Sequence, residues 1–304
     1  MTPVAPPVAL RAITWDAALE ETLSSSAHAG MLGDLVVHSV HDRVVNIRCG
    51  DELIALADDR LDDAPFTVRI RAAQWPLLQA RTGDRAEITE DGLIVHAAEI
   101  AVRIVLHPAD RWVPAVSRAT PSVAALRDAR AALAAMTPPA PVTPFGLASA
   151  PALAAGIDRM RVAASEVLQG SPAGDAVTDA ARRLIGLGEG LTPSGDDILT
   201  GLAFVAAHPG FGLTPLIAPL SDAVRAGAEA TTLLSTITVR AALAGRARRR
   251  LHDLVAAVIV GSSERVLTTA VATAAIGHTS GHDILTGIRL ALDLAQTRTP
   301  AHAL

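Results

Sequence analysis

An eleven-residue phrase occurs twice in the chain, and it limits the possible folds more than any other feature. Residues 192–202 read TPSGDDILTGL and residues 278–288 read HTSGHDILTGI. At a spacing of 86 residues the two share seven positions: Ser194/Ser280, Gly195/Gly281, Asp197/Asp283, Ile198/Ile284, Leu199/Leu285, Thr200/Thr286 and Gly201/Gly287. Two like phrases in one chain imply two like substructures. In each, the polar residues come first and the apolar ones follow, the pattern of a loop entering a helix. The expectation is a pair of helices related by an approximate two-fold axis. Gly201 and Gly287 should lie near their crossing, where a missing side chain permits close approach.

Upstream of the first copy stands Gly186-Leu187-Gly188-Glu189-Gly190. Three glycines in five residues free the backbone for unusual dihedrals and for close approach by a ligand. A helix N-terminus exposes unpaired N–H groups and a partial positive charge, which favours an anion. On this reading Gly186, Gly188, Gly190, Thr192, Ser194, Gly195, Ser280 and Gly281 form a substrate cradle for a small anion, a phosphate or a carboxylate. Asp196, Asp197, His282 and Asp283 are the catalytic candidates, able to move a proton. Asp196 and Asp197 are also the candidate ligands of a divalent cation such as Mg2+.

The competing reading is structural. Ser-x-x-Asp is a capping box, with Ser194 and Ser280 as N-caps and Asp197 and Asp283 three positions on. A cap has no use for Asp196 or His282, the one central position where the copies differ chemically. Ending one helix takes one glycine rather than three. Both readings stand on the sequence. Thr231, Thr232 and Ser235 open another apolar helix, where they read as caps. Arg246, Arg248, Arg249 and Arg250 read as a solvated basic face, and Cys49 as a small buried residue.

Composition removes several chemistries. Every basic residue other than histidine is Arg, so the chain has no Schiff-base lysine and no P-loop lysine. Tyr is absent, and a single Cys leaves neither an internal disulfide nor a multi-cysteine metal site. The formal net charge of −5 gives no electrostatic footprint for nucleic acid. Apolar runs such as Leu254 to Val260 are far shorter than a bilayer span, and Met1 to Leu10 has no basic n-region. The expectation is a cytoplasmic protein with no membrane partner.

The first third is rich in short β-branched segments: 35–38, 44–48, 51–57, 66–70, 85–89, 93–96 and 100–106. Glu90-Asp91-Gly92 marks a hairpin between two of them. Near residue 120 the texture changes. Ser122 to Met136 reads as a helix, and 137–151, with five prolines, reads as a loop. Helical patterns follow near 152–169, 174–186, 196–207, 215–230, 232–244, 248–260, 263–276 and 282–296. The predicted class is α+β: a β-rich barrel- or sandwich-like domain over 1–118, then an α-helical domain over 119–304 that holds both copies of the phrase.

The run GLGEGLTPSGDD, from Gly186 to Asp197, resembles the signature of the AllH-like family. Val44-Val45-Asn46 and Pro65 stand where that family tends to place Asn and a Gly-Pro pair, with Ala64 in place of the Gly. The likeness runs roughly from residue 30 to 295. It implies a subunit of oxamate carbamoyltransferase, a transferase of allantoin and purine catabolism that exchanges carbamoyl between oxalurate and phosphate. It further implies FdrA-like and AllG-like partner subunits and ligands such as phosphate, carbamoyl phosphate or oxamate. The alternative is a non-catalytic structural or regulatory subunit, in which the repeated phrase is a packing and capping device.

Overall fold

The computed structural model describes residues 7–23, 35–97, 100–114, 116–136 and 138–298. The chain divides into two compact units, Met1–Val113 and Pro114–Leu304.

The first unit is a closed β-barrel. Its strands are β1 (Val8–Asp16), β2 (Leu35–His41), β3 (Val44–Cys49), β4 (Glu52–Asp58), β5 (Thr67–Ile70), β6 (Arg85–Thr89), β7 (Gly92–His96), β8 (Ala101–Val105) and β9 (Asp110–Trp112). They pair in the order β5-β4-β3-β2-β6-β7-β8-β1-β9, and β1 also pairs with β5. That last pairing joins the ends of an eight-stranded sheet, and β9 extends it beside the far end of β1. Alternation along each strand sends one set of side chains inward. Val37, Ile47, Leu56, Val68, Leu93, Val95, Val102 and Ile104 fill the interior with essentially no exposure. Gly92 ends the 90–91 turn where an added Cβ would lie 2.0 Å from the Ile104 carbonyl oxygen, so a side chain there would push β7 off β8.

Two strands were not among the sequence expectations, β1 and β9. The inward positions of β1 lose their alternation at a bulge between Ala12 and Thr14. All its partners, β8, β9 and β5, lie far along the chain. Its last residue, Asp16, is buried and takes the Phe66 N–H at 2.6 Å.

The second unit is helical: α1 (Val123–Ala134), α2 (Pro144–Leu168), α3 (Gly174–Leu184), α4 (Ser194–Ala206), α5 (Ile217–Ala226), α6 (Leu233–Leu243), α7 (Arg249–Val260), α8 (Ser263–Ala274) and α9 (Ser280–Arg298). Helix α4 is its axis. Every residue from Gly195 to Ala206 is buried, the burial of a helix surrounded by others. The loop expected over 137–151 is corrected by the structure, since α2 begins at Pro144. Thr143 caps it by accepting the Gly146 N–H, and Pro144 at the first helical position has no N–H to waste. Pro151 sits inside the helix and costs it the bond to the Leu147 carbonyl. Among the described residues no helix is long and apolar enough to cross a membrane.

Candidate functional site

The two phrases form α4 and α9, which run side by side in the same direction. Their contacts are reciprocal. A Cβ on Gly201 would lie 2.1 Å from the Ile284 oxygen and 2.9 Å from the Ile288 nitrogen. A Cβ on Gly287 would lie 1.9 Å from the Ile198 oxygen and 2.9 Å from the Leu202 nitrogen. Each residue of one set stands 86 positions from its counterpart, so the helices cross about a pseudo-two-fold axis at the expected glycines.

The repeat extends further back than the phrase. A Cβ on Gly195 would strike the Leu184 oxygen at 1.9 Å, and one on Gly281 the Thr273 oxygen at 2.1 Å. The Gly195 N–H bonds the Leu187 oxygen at 2.8 Å, and the Gly281 N–H bonds the Ile276 oxygen at 2.9 Å. Each unit is therefore a helix, a tight turn and a second helix: α3 into α4, and α8 into α9. Leu184 and Thr273 are 89 residues apart, whereas Ser194 and Ser280 are 86 apart. The difference is three residues, Glu189-Gly190-Leu191, inserted in the first turn.

Capping does not explain the serines. The N-cap of α4 is Pro193, with no side-chain cap bond, and Ser194 is already helical. At α9 the N–H groups of His282 and Asp283 bond the Thr279 oxygen. The capping-box expectation is thus corrected, because both hydroxyls cross to the other copy. Ser194 hydrogen-bonds Asp283, and Ser280 hydrogen-bonds Asp197. Thr192 completes the cluster: its hydroxyl lies 3.0 Å from Asp197 Oδ2 and 2.9 Å from Ser280 Oγ. The two helix entrances are one place.

Burial governs the acids there. Asp197 is almost wholly enclosed, which holds its carboxyl well above the ordinary carboxylate range; Ser280 and Thr192 oppose this, while the charges of Asp283 and Asp196 add to it. Burial raises Asp283 to about 6 against the hydrogen bond from Ser194. Its Oδ2 is buried with no hydrogen bond among the described residues. The charge of Asp283 adds to the rise at Asp197, so Asp197 keeps its proton to higher pH than an exposed carboxyl does. Thr192, Ser194, Ser280, His282 and Asp283 are half-buried, so the cluster reaches the surface.

Asp196 faces elsewhere. Its Oδ1 accepts the Gly186 N–H at 3.1 Å and its Oδ2 accepts the Thr231 hydroxyl. Burial raises its pKa against these bonds. Asp196 ties the glycine turn to the start of α6, where Thr232 is the N-cap and accepts the Ser235 N–H. A cation on Asp196 and Asp197 would have to replace these bonds. Among the described residues no three His, Cys, Asp or Glu side chains gather as a metal cluster.

The glycine turn packs on its own protein. Gly186, Gly188 and Gly190 all have positive φ. A Cβ would meet the Ala230 oxygen at 2.0 Å from Gly186 and the Ser194 nitrogen at 2.7 Å from Gly188, whereas from Gly190 the nearest atom, the Thr192 oxygen, is at an ordinary contact distance of 3.7 Å. The inserted Glu189, given no role by the sequence reading, accepts the hydroxyl of Thr143 at the head of α2. Its signal was being the one charged residue in the glycine run.

Two family models match the chain. Residues 184–292 match oxamate carbamoyltransferase subunit AllH, and residues 11–110 match the AllH family N-terminal domain. The chain belongs to the AllH family. The AllH match spans the end of α3 through most of α9, and so contains every residue of the paired entrances. The N-terminal match covers most of the barrel. No solved structure matches the chain.

Proposed function

We propose that the paired entrances of α4 and α9 bind the small substrates of an oxamate carbamoyltransferase-type reaction and move its proton. The supporting observation is the reciprocal set of carboxyls and hydroxyls, Asp197 with Ser280 and Thr192, and Asp283 with Ser194. Two helix N-termini pointing the same way add their positive ends, which suits a phosphate or carboxylate. A carboxyl that keeps its proton near neutrality can donate a hydrogen bond to an anion, where an ionised one would repel it. In the reaction, a phosphate oxygen bonds to the carbamoyl carbon of oxalurate and the bond from that carbon to the oxamate nitrogen breaks. The nitrogen takes a proton from the Asp197–Asp283 pair, and the pair regains one from the attacking hydrogen phosphate. Carbamoyl phosphate and oxamate result. FdrA-like and AllG-like subunits are the partners on this reading.

The test is turnover by the assembled enzyme. Asp283→Asn should lower the rate of carbamoyl transfer on the order of 10²-fold or more without lowering the thermal midpoint at neutral pH. A supporting, non-catalytic subunit is the second reading. It draws on the glycines at 186, 188, 195 and 281, each of which the protein's own backbone already requires. Full turnover in both Asp283→Asn and Asp197→Asn would decide for it.

A further inference from the structure

The turns that deliver α4 and α9 to their shared entrance differ by three residues, and the difference falls on the acids. In the first turn the insert Glu189-Gly190-Leu191 is pinned at both ends. Glu189 accepts the Thr143 hydroxyl, and the Leu191 carbonyl accepts the Thr232 hydroxyl at 2.9 Å. The next residue, Thr192, lies against Asp197, with its hydroxyl 3.0 Å from Oδ2 and 2.9 Å from Ser280 Oγ. Its counterpart in the second copy, 86 positions on, is His278. The turn before α9 has no insert, and His278 is exposed, with no bond to Asp283 among the described residues.

Two like acids therefore have unlike surroundings. Asp197 is 3% exposed and takes two hydroxyls, from Thr192 and from Ser280. Thr192 and Ser280 also bond each other. Three bonds among two hydroxyls and one carboxyl need three protons, and the hydroxyls supply two. The carboxyl of Asp197 supplies the third, so this ring closes within the protein. Asp283 takes one hydroxyl, that of Ser194, and its Oδ2 is buried without a hydrogen bond among the described residues. A buried carboxylate oxygen is an acceptor that some donor must serve.

We propose that Asp283 is the residue that recognises the amide of a small substrate: its Oδ2 accepts one N–H of a carboxamide or carbamoyl NH2 group. The proposal rests on the reading of the paired entrances as a substrate site. It gives the two like acids different tasks, Asp283 to hold the ligand's nitrogen and Asp197 to hold a proton. Ser194 gives its own proton to Asp283 and keeps its lone pairs, so the second entrance has two acceptors side by side. An amide NH2 carries two protons for them, where a hydroxyl carries one. An ammonium would meet the positive ends of two helices. A methyl group in place of the NH2 would cover Oδ2 and leave it with no donor, the costly case for a buried acceptor.

Two matched pairs of ligands test this: oxamate with pyruvate, and carbamoyl phosphate with acetyl phosphate. Within each pair the charge is the same, the shape is nearly the same, and an NH2 is exchanged for a methyl group. The full-length chain is titrated calorimetrically with all four at neutral pH. In whichever pair binds, the amide should bind at least about tenfold tighter than its methyl analogue. That preference should disappear in Asp283→Ala. Equal affinity within the pair that binds, or a tighter methyl analogue, means that water alone serves Oδ2. Either result overturns the assignment and leaves the reading of the entrances intact. A preference that survives in Asp283→Ala overturns it too, by placing the amide on another residue. If none of the four binds, the substrate site is removed and the assignment with it. The wild-type comparison needs no variant, so it decides even where Asp283→Ala fails to fold.

Discussion

At the scale of single residues, the informative group is Asp283. One of its oxygens is enclosed and without a hydrogen bond among the described residues, and burial raises its pKa from 3.8 to about 6. The raised value fixes a sign. Between about 4 and 6 the folded chain holds a proton that the unfolded chain has released, so stability falls as pH rises through that range. The contribution is complete below the ordinary carboxylate pKa and gone above about 6. Asp196 and Asp197 are raised by burial too and act in the same direction. Thermal melts from pH 4 to 7 should therefore show a midpoint that declines less steeply with rising pH in Asp283→Asn than in wild type. An asparagine variant that keeps the whole wild-type slope would show that this carboxyl does not titrate there. The sequence marked Asp197 and Asp283 by their identity across the copies. It could not show what they bond, because each has its serine in the other copy, and a local pattern offers only the nearer serine.

At the scale of elements, the pairing of α4 and α9 was legible from seven shared positions, and the crossing from two glycines. The larger repeat was not. Leu187-Gly188 and Ile276-Gly277 do correspond, but the three inserted residues shift the frame and hide it. The close crossing makes a quantitative expectation. Alanine at Gly201 or Gly287 places a methyl about 2 Å from a backbone oxygen, and backbone in the middle of two buried helices cannot move aside cheaply. Each substitution should cost about 3 kcal/mol, read from denaturant unfolding. The double variant should cost less than the sum, since one separation of the helices relieves both clashes. Single variants within about 0.5 kcal/mol of wild type would mean that the helices are not held at this distance.

At the scale of the whole molecule, the two units differ in how readily their chemistry can be read. Strands joined by hairpins, such as β2 with β3 and β6 with β7, carry their partners nearby in sequence and were legible, as was the change to helix near residue 120. Strand β1 was not, because nothing local states that it lies between β8, in parallel, and β5, antiparallel. Yet it turns an open sheet into a barrel, covering the edges that β5 and β8 would otherwise expose. Removing residues 1–16 should expose the ladders of β5 and β8 together, and with them the interior that Leu10, fully buried, helps to fill. Two unpaired edges flanking apolar side chains are a template for pairing between chains. The truncated protein is therefore expected to aggregate, seen as light scattering that rises with concentration at a temperature where the full chain stays clear. A point variant separates closure from packing. Leu10→Ala leaves the β1 backbone ladder in place and opens only a cavity, at about 2–5 kcal/mol, so it should lower the melting temperature without the scattering at low temperature. If the truncated chain stays monomeric and clear, β1 is not what closes the barrel.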